Sequence, residues 1–169
     1  MEELLVNKLI EKNLTIATAE SATGGMIASR IVNVANASKI LKVSFVTYSD
    51  EAKIKYLNVK KETIDKYQIV SEEVAKEMAI GLQKEANCDV AISITGVAGP
   101  TTYDESLPVG MICFGFAVRG RVITETKQFG NLGRNKVREE ATDYALRRAL
   151  EIIWKNKNWY LKLLNFLYT

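Results

Sequence analysis

The short run DVAISIT, residues 89–95, is apolar and rich in β-branched residues. That composition suits a central strand buried on both faces rather than a half-exposed one. Helical and strand-like segments alternate around it, which points to a layered α/β domain. The first thirteen residues, MEELLVNKLIEKN, read as a helix with Leu5, Leu9 and Lys12 spaced along it. A strand is expected near 15–20, a helix from about Gly25 to Val34, a second strand over 43–49 and a short helix over 50–57. Ser71 is a good N-cap for a helix over 72–87, with Glu72 and Glu73 in its dipole-favoured first turn. Residues 109–118 and 121–129 flank Arg119-Gly120, a two-residue hairpin signal, and a last helix spans roughly 134–156. The expected sheet is mixed and mostly parallel, of about five strands, with one antiparallel hairpin near its end.

A chain of 169 residues fits one domain, placed here at 1–157, with a sizeable core. The net charge of +3 and the lack of a basic block argue against a nucleic-acid face. Cys88 and Cys113 are lone and sit in apolar runs, so they read as buried, reduced thiols of a cytoplasmic protein. The N-terminus lacks a signal-peptide layout, and no run approaches the roughly 20 apolar residues of a membrane span. The last stretch, NWYLKLLNFLYT at 158–169, is apolar and aromatic with one lysine. So much exposed apolar surface would be unusual on a soluble monomer. The tail is expected to pack between two copies in a homodimer, with packing inside one subunit as the alternative.

In open α/β sheets ligands bind at the carboxyl ends of the strands. Three polar clusters fall there: Ser21-Ala22-Thr23-Gly24-Gly25, Thr47-Tyr48-Ser49, and Thr95-Gly96 through Pro100. The chain contains no histidine. That removes a Ser-His-Asp triad, a Cys-His dyad and any histidine metal site. Two cysteines cannot close a zinc site, and no tight carboxylate cluster at a strand end suggests magnesium. Neither metal nor cofactor is expected. What remains for activating Ser21 is a lysine held neutral by burial, or a tyrosine relay. Lys53, one turn into the helix that leaves the second strand, and Tyr48 at that strand's end are both placed to face Ser21. Lys55 would point about 200° away on the same helix and reads as a solvent lysine. Gly24 and Gly25 open a helix whose free N–H groups could hold a phosphate or an oxyanion. Arg134 and Arg138, one turn apart, form either a solvated face or a phosphate clamp. Taken singly, each of these features is an ordinary turn, cap or surface residue; their convergence carries the reading.

Together the motifs resemble the CinA C-terminal domain family. AESATGG (19–25), VTYSDEAK (46–53), VSEEVA (70–75), SITGVAGP (93–100), LPVG (107–110) and RNKVR (134–138) occur in that family's order, and the likeness covers roughly residues 4–155. The resemblance implies a three-layer α/β/α fold with a mixed sheet. It implies hydrolysis of the carboxamide of nicotinamide mononucleotide to nicotinate mononucleotide and ammonia, a pyridine-nucleotide salvage step. Ser21 would be the nucleophile, Lys53 the base and Tyr48 its helper. Arg134, Arg138 and the Thr23, Gly24, Gly25 turn would hold the nucleotide, and Thr95, Gly96 and Gly99 would also bind substrate. CinA proteins also carry a large N-terminal molybdopterin-binding-like domain, so the chain is similar to the stand-alone amidohydrolase form. Three places depart from the family pattern. Ala22 stands where Cys or Leu is usual, a small change beside the nucleophile. Thr101-Thr102-Tyr103-Asp104 replaces a glycine-rich stretch, where bulk and an acid would narrow the pocket or repel a phosphate. Leu132-Gly133-Arg134 lacks the acid of a Gly-Asp-Arg sequence. Two alternatives stand beside the amidase: a nucleotide-binding module without turnover, and an amidohydrolase for another amide.

Overall fold

The computed structural model describes residues 1–102 and 104–154. The apolar tail, and with it the expected self-association, lies outside the described residues. The elements run α1 (Glu2–Glu11), β1 (Ile16–Glu20), α2 (Met26–Val32), a 3-10 turn (Ala37–Lys39), β2 (Leu41–Val46), α3 (Asp50–Leu57), α4 (Lys61–Tyr67), α5 (Glu72–Ala86), β3 (Val90–Gly96), β4 (Met111–Val118), β5 (Arg121–Gln128) and α6 (Arg134–Trp154). No described helix is long and apolar enough to cross a membrane.

The five strands lie in the order β2-β1-β3-β4-β5. β1 pairs in parallel with both β2 and β3, whereas β3–β4 and β4–β5 are antiparallel. The sheet is mixed as expected, but its parallel share is smaller: the antiparallel part begins one strand earlier than the hairpin alone implied. The cause is the segment between β3 and β4, which turns the chain straight back beside β3 instead of crossing over.

Side-chain alternation assigns the two faces. Ile16, Val90, Ile92, Ile94, Ile112, Phe114 and Phe116 point to one side and pack with α1, α2 and α6. Ala17, Ala19, Ala91 and Ala117 point to the other, under α5. The small residues on that second face bring α5 close. Ser93 Oγ donates to Ala75 O at 2.6 Å. A Cβ at Gly115 would come within 2.4 Å of the same carbonyl. DVAISIT is thus buried on both faces, with Val90 to Ile94 fully inaccessible. Both thiols are free and buried.

The N-cap expected at Ser71 is present, and Ser49 supplies a second one. Ser71 Oγ accepts from the Val74 N–H and Ser49 Oγ from the Ala52 N–H. The second cap fixes where α3 starts, and so where its first inward turn points. Strand β2 begins and ends earlier than expected, because its register with β1 runs from Ile16↔Leu41 to Glu20↔Val46.

Candidate active site

The chain leaves β1 and β2 at one edge of the sheet, and both exits remain tied to neighbouring strands. The Ser21 N–H donates to Ile94 O of β3, and the Thr47 N–H donates to Glu20 O. Ser21 therefore sits just past β1, between the ends of β2 and β3, where the connections diverge to opposite faces. Crevices form at such points in α/β sheets.

Lys53 reaches this spot from the first turns of α3. It is 1% exposed, among the largest of the fully buried side chains. Its Nζ donates to Thr47 O at 2.9 Å and to Ser21 Oγ at 3.3 Å. Burial lowers its pKa from the ordinary 10.5 to about 8, with the charge of Asp50 pulling weakly the other way. Among the described residues no carboxylate forms a salt bridge with Lys53. Its neutral amine is thereby brought within reach of neutral pH. Lys55 is exposed, as its angle on the helix predicts.

A cavity of about 400 Å³ opens over the pair. Ser21, Tyr48, Lys53, Thr95, Gly96, Gly99 and Arg134 line it, together with Ala22, Asp50, Thr101 and the 97–98 wall. Seven of the expected site residues thus meet in one place. Thr95 is nearly inaccessible and donates to Ile69 O at 2.9 Å, which fixes that wall. Tyr48 is 62% exposed, and its hydroxyl accepts from Arg134 Nη2 at 2.8 Å. That is its hydrogen bond among the described residues, so it stands with Arg134 at the cavity mouth rather than beside the lysine. Arg134 Nη1 donates to Gly99 O at 2.8 Å. The guanidinium bridges two walls and keeps N–H donors over for a ligand.

Thr23, Gly24, Gly25 and Arg138 do not line the cavity, which corrects their expected place against the nucleotide. Thr23 is fully buried and donates to Glu20 Oε2 at 2.7 Å. Arg138 donates to Ala22 O at 3.1 Å and to Thr23 O at 3.0 Å. It clamps the turn that carries Ser21. Gly24 and Gly25 have φ of +62° and +96°, in the left-handed region that favours glycine.

The N–H groups that were expected to hold an anion already hold one. Glu20 is fully buried, and its carboxylate accepts from the N–H groups of Gly25, Ile27 and Ala28 at 2.9–3.1 Å and from the hydroxyls of Thr18 and Thr23. A carboxylate at a helix N-terminus is stabilised by the free N–H groups and the dipole. It welds β1 to α2 across the Ser21 turn. Sequence reasoning missed it because Glu20 precedes the helix by several residues, outside the N-cap window. Its signal was an acid at the end of a strand otherwise fully buried.

Of the 101–104 segment, Thr101 lines the cavity, and Tyr103 lies outside the described residues. Asp104 accepts from Gln68 Nε2 and Ser106 Oγ, and does not line the cavity. These bonds hold its carboxyl below the usual range.

A profile of the CinA C-terminal domain matches residues 1–153. The chain belongs to the CinA family. A CinA-like protein of Kosmotoga olearia is 50% identical over 153 residues, which is 89% of this chain and 37% of that protein. The chain spans a little over a third of the length of the curated relatives it matches. Among solved structures, a CinA superfamily protein of Klebsiella pneumoniae superposes with a TM-score of 0.87 at 32% identity, over 90% of this chain and 94% of that one. One from Escherichia coli gives 0.85 at 35% identity, over 90% of each chain. The CinA fold is therefore shared over about nine-tenths of the chain.

Proposed function

We propose that this domain is a metal-independent amidohydrolase acting on the carboxamide of nicotinamide mononucleotide, with Ser21 as nucleophile and Lys53 as its base. The observation that carries the reading is a buried lysine with a lowered pKa, 3.3 Å from a serine hydroxyl at a cavity floor. A lysine so placed can do the work of the missing histidine.

In the neutral form, one Nζ–H stays on Thr47 O and the lone pair faces Ser21. Ser21 Oγ attacks the carboxamide carbon and its proton passes to Nζ. The resulting ammonium returns that proton to the amide nitrogen as the C–N bond breaks, and ammonia leaves. The remaining ester on Ser21 is attacked by water, which gives its proton to the amine. Collapse releases the carboxylate and restores Ser21 with its proton. Arg134, held by Tyr48 and Gly99, receives the phosphate at the cavity mouth. Tyr48 acts by orienting that guanidinium. The family resemblance supports this choice of substrate; the cavity supports a small ligand with an anionic end.

The test is ammonia release from nicotinamide mononucleotide by purified protein, wild type against Ser21→Ala. Wild type should release ammonia and the variant none, with an unchanged melting temperature. Full activity in Ser21→Ala would remove Ser21 as nucleophile.

A further inference from the structure

Asp50 is the one carboxylate among the described residues that line the cavity. It occupies the first turn of α3, three residues before Lys53, so the two lie on neighbouring positions of one helix face. Lys53 points inward to Ser21, which puts Asp50 one turn nearer the mouth. Its carboxylate has no hydrogen bond or ion pair with any described residue. Asp104, by contrast, is tied to Gln68 and Ser106, and Glu20 is buried beneath the Ser21 turn. The other charged or titratable groups facing the same space are Lys53 from α3, Arg134 from α6 and Tyr48 from the end of β2. Arg134 already has Tyr48 and Gly99 for partners. Asp50 is exposed at the cavity mouth, where its carboxylate can meet a cationic group of a bound ligand.

We infer that Asp50 is a specificity-determining residue that selects ligands whose ring carries a positive charge, such as an N-substituted pyridinium, over their neutral-ring counterparts. The inference rests on the amidase reading for the ligand's orientation. With the carboxamide at Ser21 and the phosphate at Arg134, the ring lies between them, alongside the Asp50 turn. The cavity then presents, from mouth to floor, a cation for the phosphate, an anion for the ring and a base for the reacting carbonyl. A uniformly basic cavity would bind the phosphate but repel the ring.

The experiment compares oxidised nicotinamide mononucleotide, with its cationic ring, and the reduced form, with a neutral ring of nearly the same shape. Binding is measured by calorimetry on Ser21→Ala and on Ser21→Ala/Asp50→Asn, and turnover on wild type and Asp50→Asn. Asp50→Asn should weaken the oxidised nucleotide about fivefold, the scale of a partly exposed charge pair, and change the reduced one less than twofold. It should raise KM more than it lowers kcat. The pH midpoint of turnover should also move down, because Asp50 opposes the effect of burial on Lys53. Equal weakening of both forms, or an unchanged affinity for the oxidised form, overturns the inference. If the reduced form binds neither protein, the oxidised ratio decides. The two readings fail separately: selective binding without ammonia release from wild type would sink the amidase and keep the charge selection. Ammonia release with no selective effect of Asp50→Asn would do the reverse.

Discussion

Lys53 Nζ lies 3.3 Å from Ser21 Oγ and 2.9 Å from Thr47 O at the cavity floor, on a side chain that is 1% exposed. Thr47 O orients the amine, and burial makes its protonation costly. A lysine whose pKa falls from 10.5 to about 8 in the folded state carries a stability cost wherever it is protonated. The unfolded chain binds more protons between these two values. The cost is therefore full below about pH 8 and fades as pH rises towards 10.5. It amounts to about 3 kcal/mol at neutral pH, less about 1 kcal/mol for the hydrogen bond to Thr47 O. Lys53→Met should be inactive yet more stable at pH 7 by about 1–2 kcal/mol, with the gain vanishing by pH 10.5. Urea titrations at both pH values check this. Lys53→Arg should also be inactive, since guanidinium stays protonated.

The two arginines of α6 should separate kinetically. Arg134 faces the cavity, so Arg134→Ala should raise KM about tenfold or more, the scale of a lost charge-assisted contact, and leave the melting temperature nearly unchanged. Arg138 holds the carbonyls of Ala22 and Thr23. Arg138→Ala should lower kcat with little change in KM, and lower the melting temperature. Steady-state kinetics on both variants, beside a melting curve, distinguish the roles. Matching KM effects would mean that Arg138 also reaches the ligand.

Glu20 carries the largest structural load of any charged side chain near the site. Glu20→Ala would strip acceptors from three backbone N–H groups and two hydroxyls in a fully buried place. The expected loss is at least about 3 kcal/mol, read by urea unfolding. Glu20→Gln, which keeps an acceptor, should lose less and retain measurable activity. A Glu20→Ala protein of wild-type stability would contradict the account of the Ser21 turn.

Much of this was legible in the chain, and the misses share a cause. The buried strand at 89–95, the cap Ser71 and the pairing of Ser21 with Lys53 follow from local pattern, because each signal lies within a turn or two of the residue it places. α4 was invisible: KETIDKY has no apolar stripe and buries none of its residues. Glu77 of α5 starts it, accepting from the Lys60 N–H at 2.8 Å and from Thr63 Oγ1. Such a cap, seventeen positions away in sequence, leaves no local mark. Glu20 and Arg138 escaped for the same reason. An acid and a base of ordinary appearance become the two holders of the Ser21 turn only once β1, α2 and α6 have packed. The direction of β4 was likewise set by the return of the 97–110 segment, not by the hairpin that the sequence displays.

The pH dependence of kcat/KM for ammonia release from nicotinamide mononucleotide tests the central claim most directly. With Lys53 as base, the rate should climb tenfold per pH unit below a midpoint near 8, following its neutral fraction, and level off above it. A profile that is flat from pH 6 to 10, or one that falls as Lys53 loses its proton, would contradict a lysine base at Ser21.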